Sequence, residues 1–319
     1  MQIIERNLIE QKLNLPKIFQ ALKQGFIDFS AGLVTVPPVG HLGFDNPPGD
    51  CHIKYGWIKG DPHFVVKISS GFYENPKQGL PSSTGMMLVF SATTGQPVAL
   101  LNDGGLLTDV RTALAGVLAT ETLSRPDSRV AAIVGTGIQA RLLAEYLDEL
   151  SRFDRFVIWG RNEENLNRCV QDLLAKGLNV VAEPDLQQLC AKADSILTVT
   201  PSEIPLLKTD WIRPGTHITA IGADAEGKQE LDSEIFARAQ QIIVDSRAQC
   251  CHHGEISHAY KAGLISADRI TELGTFLSSD KPFVREPAAI TIADLTGVAV
   301  QDIVIAKSVY QAITQQAVR

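Results

Sequence analysis

The stretch VAAIVGTGIQARLLAEYLDEL, residues 130–150, decides the fold of this 319-residue chain. Its apolar start predicts a β-strand, and the motif Gly135-x-Gly137-x-x-Ala140 leads directly into a helical pattern. The first glycine permits a tight turn, the second lets a pyrophosphate approach the backbone, and the alanine allows close helix packing. Because a helix N-terminus also presents unpaired N–H groups to an anion, the stretch predicts a dinucleotide-binding turn. Its predicted cofactor contacts are Gly135, Thr136, Gly137, Ile138, Gln139 and Ala140.

Strand and helix patterns alternate on both sides of this turn. Further short strands are predicted at 156–159, 179–181, 196–200, 217–221, 241–245 and 290–292. This alternation is typical of a parallel, doubly wound sheet, so the fold class is α/β. Upstream, the patterns predict a helix-rich start at 1–30, a hairpin at 86–101 and a helix at 108–123. A terminal helix is predicted at 300–318.

The end of the second predicted strand bears on which dinucleotide binds. A carboxylate there would pair with the ribose 2′-hydroxyl of NAD. The chain instead has Trp159-Gly160-Arg161-Asn162, and Arg161 can neutralise a 2′-phosphate. We therefore expect NADP in preference to NAD, with Arg161 and Asn162 among its contacts. The alternative is that Arg161 is a solvated surface cation.

Charge and cysteine content exclude several classes of protein. The chain has 29 Lys and Arg against 36 Asp and Glu, a net charge of −7, so a nucleic-acid partner is not expected. Its five cysteines are scattered, and it contains neither a secretory signal pattern nor a long apolar run. We expect a cytoplasmic protein without a membrane partner. The sequence Cys250-Cys251-His252-His253 lacks a second pair of ligands, so no metal is expected.

Several motifs along the chain resemble those of the ornithine cyclodeaminase/mu-crystallin family. They are Val66-Lys67, Leu107–Ala113 (LTDVRTA), Ile133–Ala140 (IVGTGIQA), Gly222-Ala223-Asp224, Gly227–Asp232 (GKQELD), Gly254-Glu255 and Asp294–Gly297 (DLTG). The resemblance implies a Rossmann domain, expected at 123–296, inserted in a second α+β domain. That second domain, expected at 1–122 plus 297–319, would bind substrate and form a homodimer.

The resemblance also implies site residues. Lys67 matches the family's active-site lysine, Arg111 its carboxylate-binding arginine and Asp224 its catalytic aspartate. The fork of an arginine suits a substrate carboxylate, whereas a lysine or an aspartate can exchange a proton with a substrate nitrogen. Without the resemblance, an ion pair, a surface charge and a turn would be the ordinary roles of these residues. Further expected contacts are Thr84 for substrate, and Thr198, Thr200, Gly297 and Val298 for the cofactor.

One position departs from the cyclodeaminase pattern. Cyclodeaminases of the family carry a glutamate thirteen residues before the active-site lysine, and Lys54 stands there in this chain. A cation would repel the distal amine of ornithine and would suit a neutral side chain or a second carboxylate. We therefore expect Lys54 to contact substrate, although it could equally be a solvated strand residue.

The predicted function is an NAD(P)H-dependent reductase of small 2-imino acids, either cyclic ketimines such as pyrroline-2-carboxylate or linear imino acids. One alternative is an ornithine cyclodeaminase, which converts ornithine to proline and ammonia while recycling NAD within each turnover. An alternative from another class is a non-catalytic protein that binds a small ligand or a nucleotide.

Overall fold

The structure is a computed structural model, and it describes residues 1–72, 74–280 and 283–314. Its contacts divide the chain into two compact units, Met1–Arg111 with Val298–Arg319, and Thr112–Gly297. Within the described residues, no helix is long and apolar enough to cross a membrane.

The first unit is built on a mostly antiparallel sheet. Its elements are β1 (Gln2–Glu5), α1 (Arg6–Lys12), α2 (Leu15–Ser30), β2 (Val34–Thr35), β3 (Gly40–Asp45), β4 (Pro48–Ile58), β5 (His63–Phe72), β6 (Ser83–Ser91), β7 (Pro97–Asn102) and, from the other end of the chain, α11 (Ala299–Thr314). The strand order is β1-β7-β6-β5-β4-β2, with β3 paired to β4. Of these pairings, only β1 with β7 is parallel.

One face of this sheet forms the core of the first unit. Alternate residues of β5, β6 and β7 point to this face and are buried, among them Val65, Met87 and Leu101. Helices α2 and α11 pack closely because Gly25 has no side chain, since a Cβ there would lie 2.7 Å from Val304 Cγ2. The terminal helix was predicted at 300–318, and residues 315–318 of that range lie outside the described residues.

The second unit is built on a parallel sheet. Its elements are β8 (Val130–Val134), α4 (Ile138–Leu150), β9 (Arg155–Trp159), α5 (Glu163–Ala175), β10 (Val180–Ala182), α6 (Leu186–Lys192), β11 (Ser195–Thr198), β12 (His217–Ala220), α7 (Glu234–Arg238), β13 (Gln241–Val244), α8 (Arg247–His253), α9 (Glu255–Lys261), β14 (Ile270–Glu272), α10 (Leu273–Leu277) and β15 (Thr291–Asp294). Helix α3 (Leu106–Leu123) begins in the first unit and ends in the second.

The order of the parallel strands positions a binding edge. The sheet runs β10-β9-β8-β11-β12-β15-β13-β14, and each pair in it is parallel. The predicted parallel, doubly wound sheet is therefore confirmed. The chain leaves β8 in one direction across the sheet, through β9 and β10, and then returns to the other side at β11. Doubly wound sheets bind ligands at such a switch point, beyond the carboxyl ends of the strands.

Candidate active site

The glycine turn follows β8 at this switch point. Gly135 has φ +139°, and a Cβ on it would lie 2.8 Å from Val199 Cγ2, so both its backbone and its surroundings require glycine. Gly137 is the N-cap of α4, and a Cβ on it would meet nothing within 4 Å. The space in front of the helix N-terminus is therefore open to an anion. Ala140 is fully buried against the sheet, as its small size predicts, and Ile138 is half exposed at the mouth of the turn.

The residues after β9 lie at the same edge of the sheet as the glycine turn. Arg161 is exposed two residues beyond the end of β9. Asn162 caps α5, because its Oδ1 accepts a hydrogen bond of 2.8 Å from the backbone N–H of Asn165. The side chain of Thr136 packs on Gly160, where a Cβ would leave no room for it. The structure thus brings Arg161 and Asn162 to the edge that carries the predicted cofactor turn.

A buried glutamate, Glu230, joins the loops that follow β11 and β12. Its Oε1 accepts hydrogen bonds from the backbone N–H of Thr200 at 2.6 Å and from the Thr200 hydroxyl at 2.7 Å. Its Oε2 accepts from the N–H of Gly222 at 3.0 Å. Burial raises the pKa of Glu230 to about 7, although these hydrogen bonds oppose the shift. Thr198, at the end of β11, is fully buried beside this junction.

Further buried carboxyls support the same edge of the sheet. Glu255 accepts hydrogen bonds from the N–H groups of Glu230 and Leu231, and Asp294 Oδ2 accepts from Ile256 at 3.0 Å. Burial raises the pKa of Glu255 well above its usual range and that of Asp294 to about 8. These carboxyls accept hydrogen bonds from backbone N–H groups in place of solvent, so they fix the loop beyond β12 and the start of α9.

Gly297 is fixed in the same way. It has φ +81°, and its N–H donates a 2.6 Å hydrogen bond to the buried Asp245. Its carbonyl accepts from the side chain of Gln249 at 3.2 Å. The next residue, Val298, is buried and belongs to the first unit.

Asp224 lies in the loop after β12, two residues beyond the Gly222 that Glu230 holds. Its side chain is 57% exposed, and its Oδ1 accepts a 2.6 Å hydrogen bond from Lys228 Nζ. Asp224 belongs to the second unit, whereas Lys67 and Arg111 belong to the first.

The first unit brings Lys67 and Arg111 together on one buried carboxylate, Asp302 in the first turn of α11. Lys67 Nζ lies 3.1 Å from Asp302, and Arg111 Nε donates to Asp302 Oδ1 at 2.9 Å. Arg111 Nη1 also donates to Gln301 at 2.5 Å. These two bonds of Arg111 use two of the five N–H donors that a guanidinium carries. The remaining donors suit a substrate carboxylate.

The electrostatics of this cluster favour proton exchange by Lys67, which is 2% exposed. Its pKa is lowered from 10.5 to about 7, chiefly by burial and also by the positive charges of Arg111 and Lys54, whereas Asp302 opposes the shift. Burial works against ionisation of Asp302, yet the neighbouring Arg111 and Lys67 hold its pKa below the usual range. Lys67 is therefore a buried amine that can hold or release a proton near neutral pH.

The structure separates the two other expected substrate residues. Lys54 lies directly opposite Lys67 in the pairing of β4 with β5, on the same face of the sheet. Thr84 is exposed, and it lies on β6, where it pairs with Ser70 of β5. It is three residues along β6 from the position that pairs with Lys67. Lys54 thus adjoins the buried cluster, and Thr84 does not belong to it.

Four residues near these sites were not predicted from the sequence: Asp103, Glu230, Gln301 and Asp302. Asp103 is buried, its Oδ2 accepts from the N–H of Leu107 at 2.8 Å, and burial raises its pKa to about 6, with Lys67 among the charges that oppose the shift. Glu230 lies inside the family motif GKQELD, so the motif was a usable signal that this residue belongs to the site. Asp302 gave none, because 235 residues separate it from Lys67. Among residues 1–72, 74–280 and 283–314, no three His, Cys, Asp or Glu side chains form a metal-binding group.

The sequence profile of the ornithine cyclodeaminase/mu-crystallin family matches residues 2–317. The chain belongs to this family, as its motifs predicted. It is 41% identical over 280 residues to an uncharacterized cyclodeaminase of Sinorhizobium fredii, covering 87% of this chain and 85% of that protein.

Two solved structures of the family are similar over nearly their whole length. The Δ(1)-pyrroline-2-carboxylate reductase of Thermococcus litoralis, in complex with NADH and L-proline, has a TM-score of 0.93 and 26% identity, covering 99% of this chain and 98% of that one. The iminosuccinate reductase of Paracoccus denitrificans, in complex with NAD+, has a TM-score of 0.90 and 31% identity, covering 100% and 98%.

Proposed function

We propose that this chain reduces the C=N bond of small 2-imino acids with a reduced nicotinamide dinucleotide. The observation that carries the proposal is the buried Lys67–Asp302–Arg111 cluster, in a family whose similar members include reductases of imino acids. The cluster offers a fork for a carboxylate and a titratable amine for a nitrogen. A 2-imino acid carries both groups on neighbouring carbons.

Each of the three residues that match the family has a role in this proposal. Arg111 binds the substrate carboxylate through the donors that Asp302 and Gln301 do not use. Lys67 donates a hydrogen bond and then a proton to the substrate nitrogen, which its lowered pKa permits near neutral pH. Asp224 stabilises the protonated nitrogen or exchanges a proton with it. Thr84 remains a proposed substrate contact.

The edge of the parallel sheet fits a dinucleotide. The open space at Gly137 and the N-terminus of α4 would hold the pyrophosphate, and Thr198, Thr200, Gly297 and Val298 would line the remainder. When it is bound, the nicotinamide supplies the hydride that the imine carbon receives. The exposed Arg161 supports a preference for NADP over NAD. Replacing Arg161 with Ala tests this preference, because it should weaken NADPH binding and leave NADH binding nearly unchanged.

The second candidate is an ornithine cyclodeaminase, favoured by the name of the Sinorhizobium relative. Lys54 argues against it. The distal amine of bound ornithine would approach a cation beside Lys67, and two unit charges at 4 Å repel by about 1 to 4 kcal/mol in surroundings between water and a protein surface. We therefore place the cyclodeaminase second.

We further propose that residues 1–122 with 297–319 form the substrate-binding and dimerisation domain, and residues 123–296 the dinucleotide domain. One face of the antiparallel sheet points away from Lys67, and this face supports the dimer. It exposes the apolar side chains of Ile3, Ile53, Tyr55 and Met86. A second copy of this chain would cover that face. Light scattering should give a dimer, and Ile53→Glu should give a folded monomer.

The experiment that tests the function is a screen of imino acids with NADH and NADPH in parallel. Cyclic imines and mixtures of 2-oxo acids with ammonia provide the substrates, and loss of the reduced nicotinamide absorbance is the signal. The proposal predicts amino acid formed in equal amount to the nicotinamide oxidised. Production of proline from ornithine without net nicotinamide oxidation would favour the cyclodeaminase instead.

A further inference from the structure

Four of the family motifs meet at one network of buried carboxyl groups in the second unit. They are Gly222-Ala223-Asp224, Gly227–Asp232, Gly254-Glu255 and Asp294–Gly297. The proposed reaction uses Asp224 from these motifs. Glu255 has no part in that reaction, although it is almost completely buried and belongs to one of the four motifs. Its hydrogen bonds indicate what it does.

The segment 229–231 joins the loops that follow β11 and β12. The backbone carbonyl of Glu230 accepts a hydrogen bond of 3.0 Å from the N–H of Leu207, in the loop after β11. The side chain of Glu230 accepts from the N–H of Thr200 in that same loop, and from the N–H of Gly222 in the loop after β12. The position of this segment therefore determines the positions of both loops.

Glu255, the first residue of α9, holds the segment 229–231 by its backbone. Its Oε1 accepts a hydrogen bond of 2.5 Å from the N–H of Glu230, and its Oε2 accepts one of 3.1 Å from the N–H of Leu231. The start of α9 is fixed in turn, because Asp294 Oδ2 accepts from the N–H of the residue after Glu255 at 3.0 Å. Glu255 thus connects the segment to the carboxyl end of β15.

These contacts form a chain from Glu255 to the edge that carries the proposed cofactor contacts. Glu255 fixes the backbone of Glu230, and this backbone sets the place from which the Glu230 side chain reaches Thr200 and Gly222. Thr200 is a proposed contact of the dinucleotide, and Asp224 follows Gly222 by two residues. Because a buried N–H without an acceptor is costly, the segment stays with Glu255, and the two loops stay with the segment.

We infer that Glu255 is a positioning residue for the dinucleotide, and that it acts through Glu230 on the loops after β11 and β12. This inference rests on the proposed function, because that function assigns the dinucleotide to these loops. It requires no contact between Glu255 and the dinucleotide.

The test is calorimetric titration of NADH and of NADPH into the wild-type protein and into Glu255→Gln. Gln has nearly the same shape, but its NH2 group cannot accept a hydrogen bond, so one N–H of the segment loses its acceptor. The dissociation constant of the reduced dinucleotide should rise about tenfold, the order expected for one buried donor left unpaired. At saturating dinucleotide, the KM for an imine should stay unchanged.

A double-mutant cycle tests whether Glu255 acts through Glu230. Glu230→Gln should also weaken dinucleotide binding, because it removes an acceptor from the two loops. In the variant that carries both substitutions, the rise in the dissociation constant should be clearly smaller than the product of the two single rises. Single effects that multiply would show that the two residues act independently, and they would overturn the inference.

Asp194→Asn is the matched control for a loss of stability alone. Asp194 Oδ2 also accepts hydrogen bonds from two consecutive backbone N–H groups, those of Arg129 at 2.9 Å and Val130 at 3.0 Å. It lies at the amino ends of β8 and β11, whereas the glycine turn follows the carboxyl end of β8. This variant should have a lower Tm and the dinucleotide affinity of the wild type. Equal weakening in Asp194→Asn and Glu255→Gln would overturn the inference.

The remaining outcomes separate this inference from the proposed function. Circular dichroism monitors folding, and Glu255→Asp replaces Glu255→Gln if the latter does not fold, since it withdraws the carboxylate from the same N–H groups. A folded Glu255 variant that binds the dinucleotide as tightly as the wild type would overturn the inference and leave the proposed function intact. Wild-type protein that binds neither NADH nor NADPH would overturn the proposed function itself.

Discussion

Replacing Asp302 with Asn should shift the pH dependence of imine reduction to lower pH. Asp302 lies 3.1 Å from Lys67 Nζ and favours its protonated form. At that separation the interaction of two unit charges is about 1.3 kcal/mol at the dielectric constant of water and about 5 kcal/mol at an effective value of 20. Since 1.36 kcal/mol corresponds to one pKa unit, Asn should lower the pKa of Lys67 by about one unit or more.

The sign of this effect follows from the proposed role of Lys67 as a proton donor. The active, protonated amine is present below its pKa and is lost as the pH rises through that value. The alkaline fall in kcat/KM should therefore have its midpoint at about pH 7 in the wild type and at about pH 6 or below in Asp302→Asn. The assay is kcat/KM for a single imine measured across pH, which reports on the free enzyme.

Asp61→Asn is the matched control for this prediction. Asp61 also binds a lysine of α11, Lys307, but the charges that shift the pKa of Lys67 do not include it. Its profile should match that of the wild type. Thermal unfolding of both variants monitors folding, because the loss of one partner of a buried ion pair costs about 3 to 5 kcal/mol. An alkaline midpoint that stays at its wild-type value in folded Asp302→Asn would refute the argument.

Four further predictions follow from the site geometry. Arg111→Lys retains the charge but loses the fork, so kcat/KM should fall by about 10- to 150-fold, measured in steady state. Gly137→Val places its side chain in open space, so calorimetry should show weaker binding of the reduced dinucleotide with little change in Tm. Glu230→Gln should lower kcat by about 10- to 100-fold through displacement of its two loops, and Glu230→Ala should lower it further. Burial raises the pKa of both Glu230 and Asp294, so the folded protein holds protons that the unfolded chain has already lost. Their contribution to stability is therefore lost as the pH rises, and the free energy of unfolding should fall between about pH 5 and pH 8. Asp294→Asn should flatten that dependence, and a stability that rises across this range would contradict it.

The parallel sheet could be predicted from sequence because its local patterns are strong. The segment 130–150 combines an apolar strand, a glycine turn and a helix, and the structure has β8 and α4 there. The strands that were not predicted include β1, β3 and β14. β14 has only three residues, and β3 contains two glycines in the sequence GHLGFD, so neither gives a usable pattern. β1 gains its pairing from β7, about a hundred residues away, and local sequence does not show this.

The candidate site was only partly predictable. The family motifs contain Lys67 and Arg111, but Asp302 joins them across 235 and 191 residues of chain. Only the folded structure shows that burial brings the pKa of Lys67 close to neutral pH. Similarly, the position of Lys54 in the sequence left open whether it contacts substrate or only solvent. The register of β4 and β5 places it beside Lys67. Long-range pairing, which sequence patterns do not encode, determined both results.

The central claim is tested most directly by the products of a single reaction. The purified protein is incubated with a 2-imino acid and a reduced nicotinamide dinucleotide, and the amino acid and the oxidised dinucleotide are quantified together. The wild-type protein should form equal amounts of the two products, and Arg111→Met should form little of either. Wild-type protein that binds the dinucleotide but forms no amino acid from any cyclic or linear 2-imino acid would contradict it.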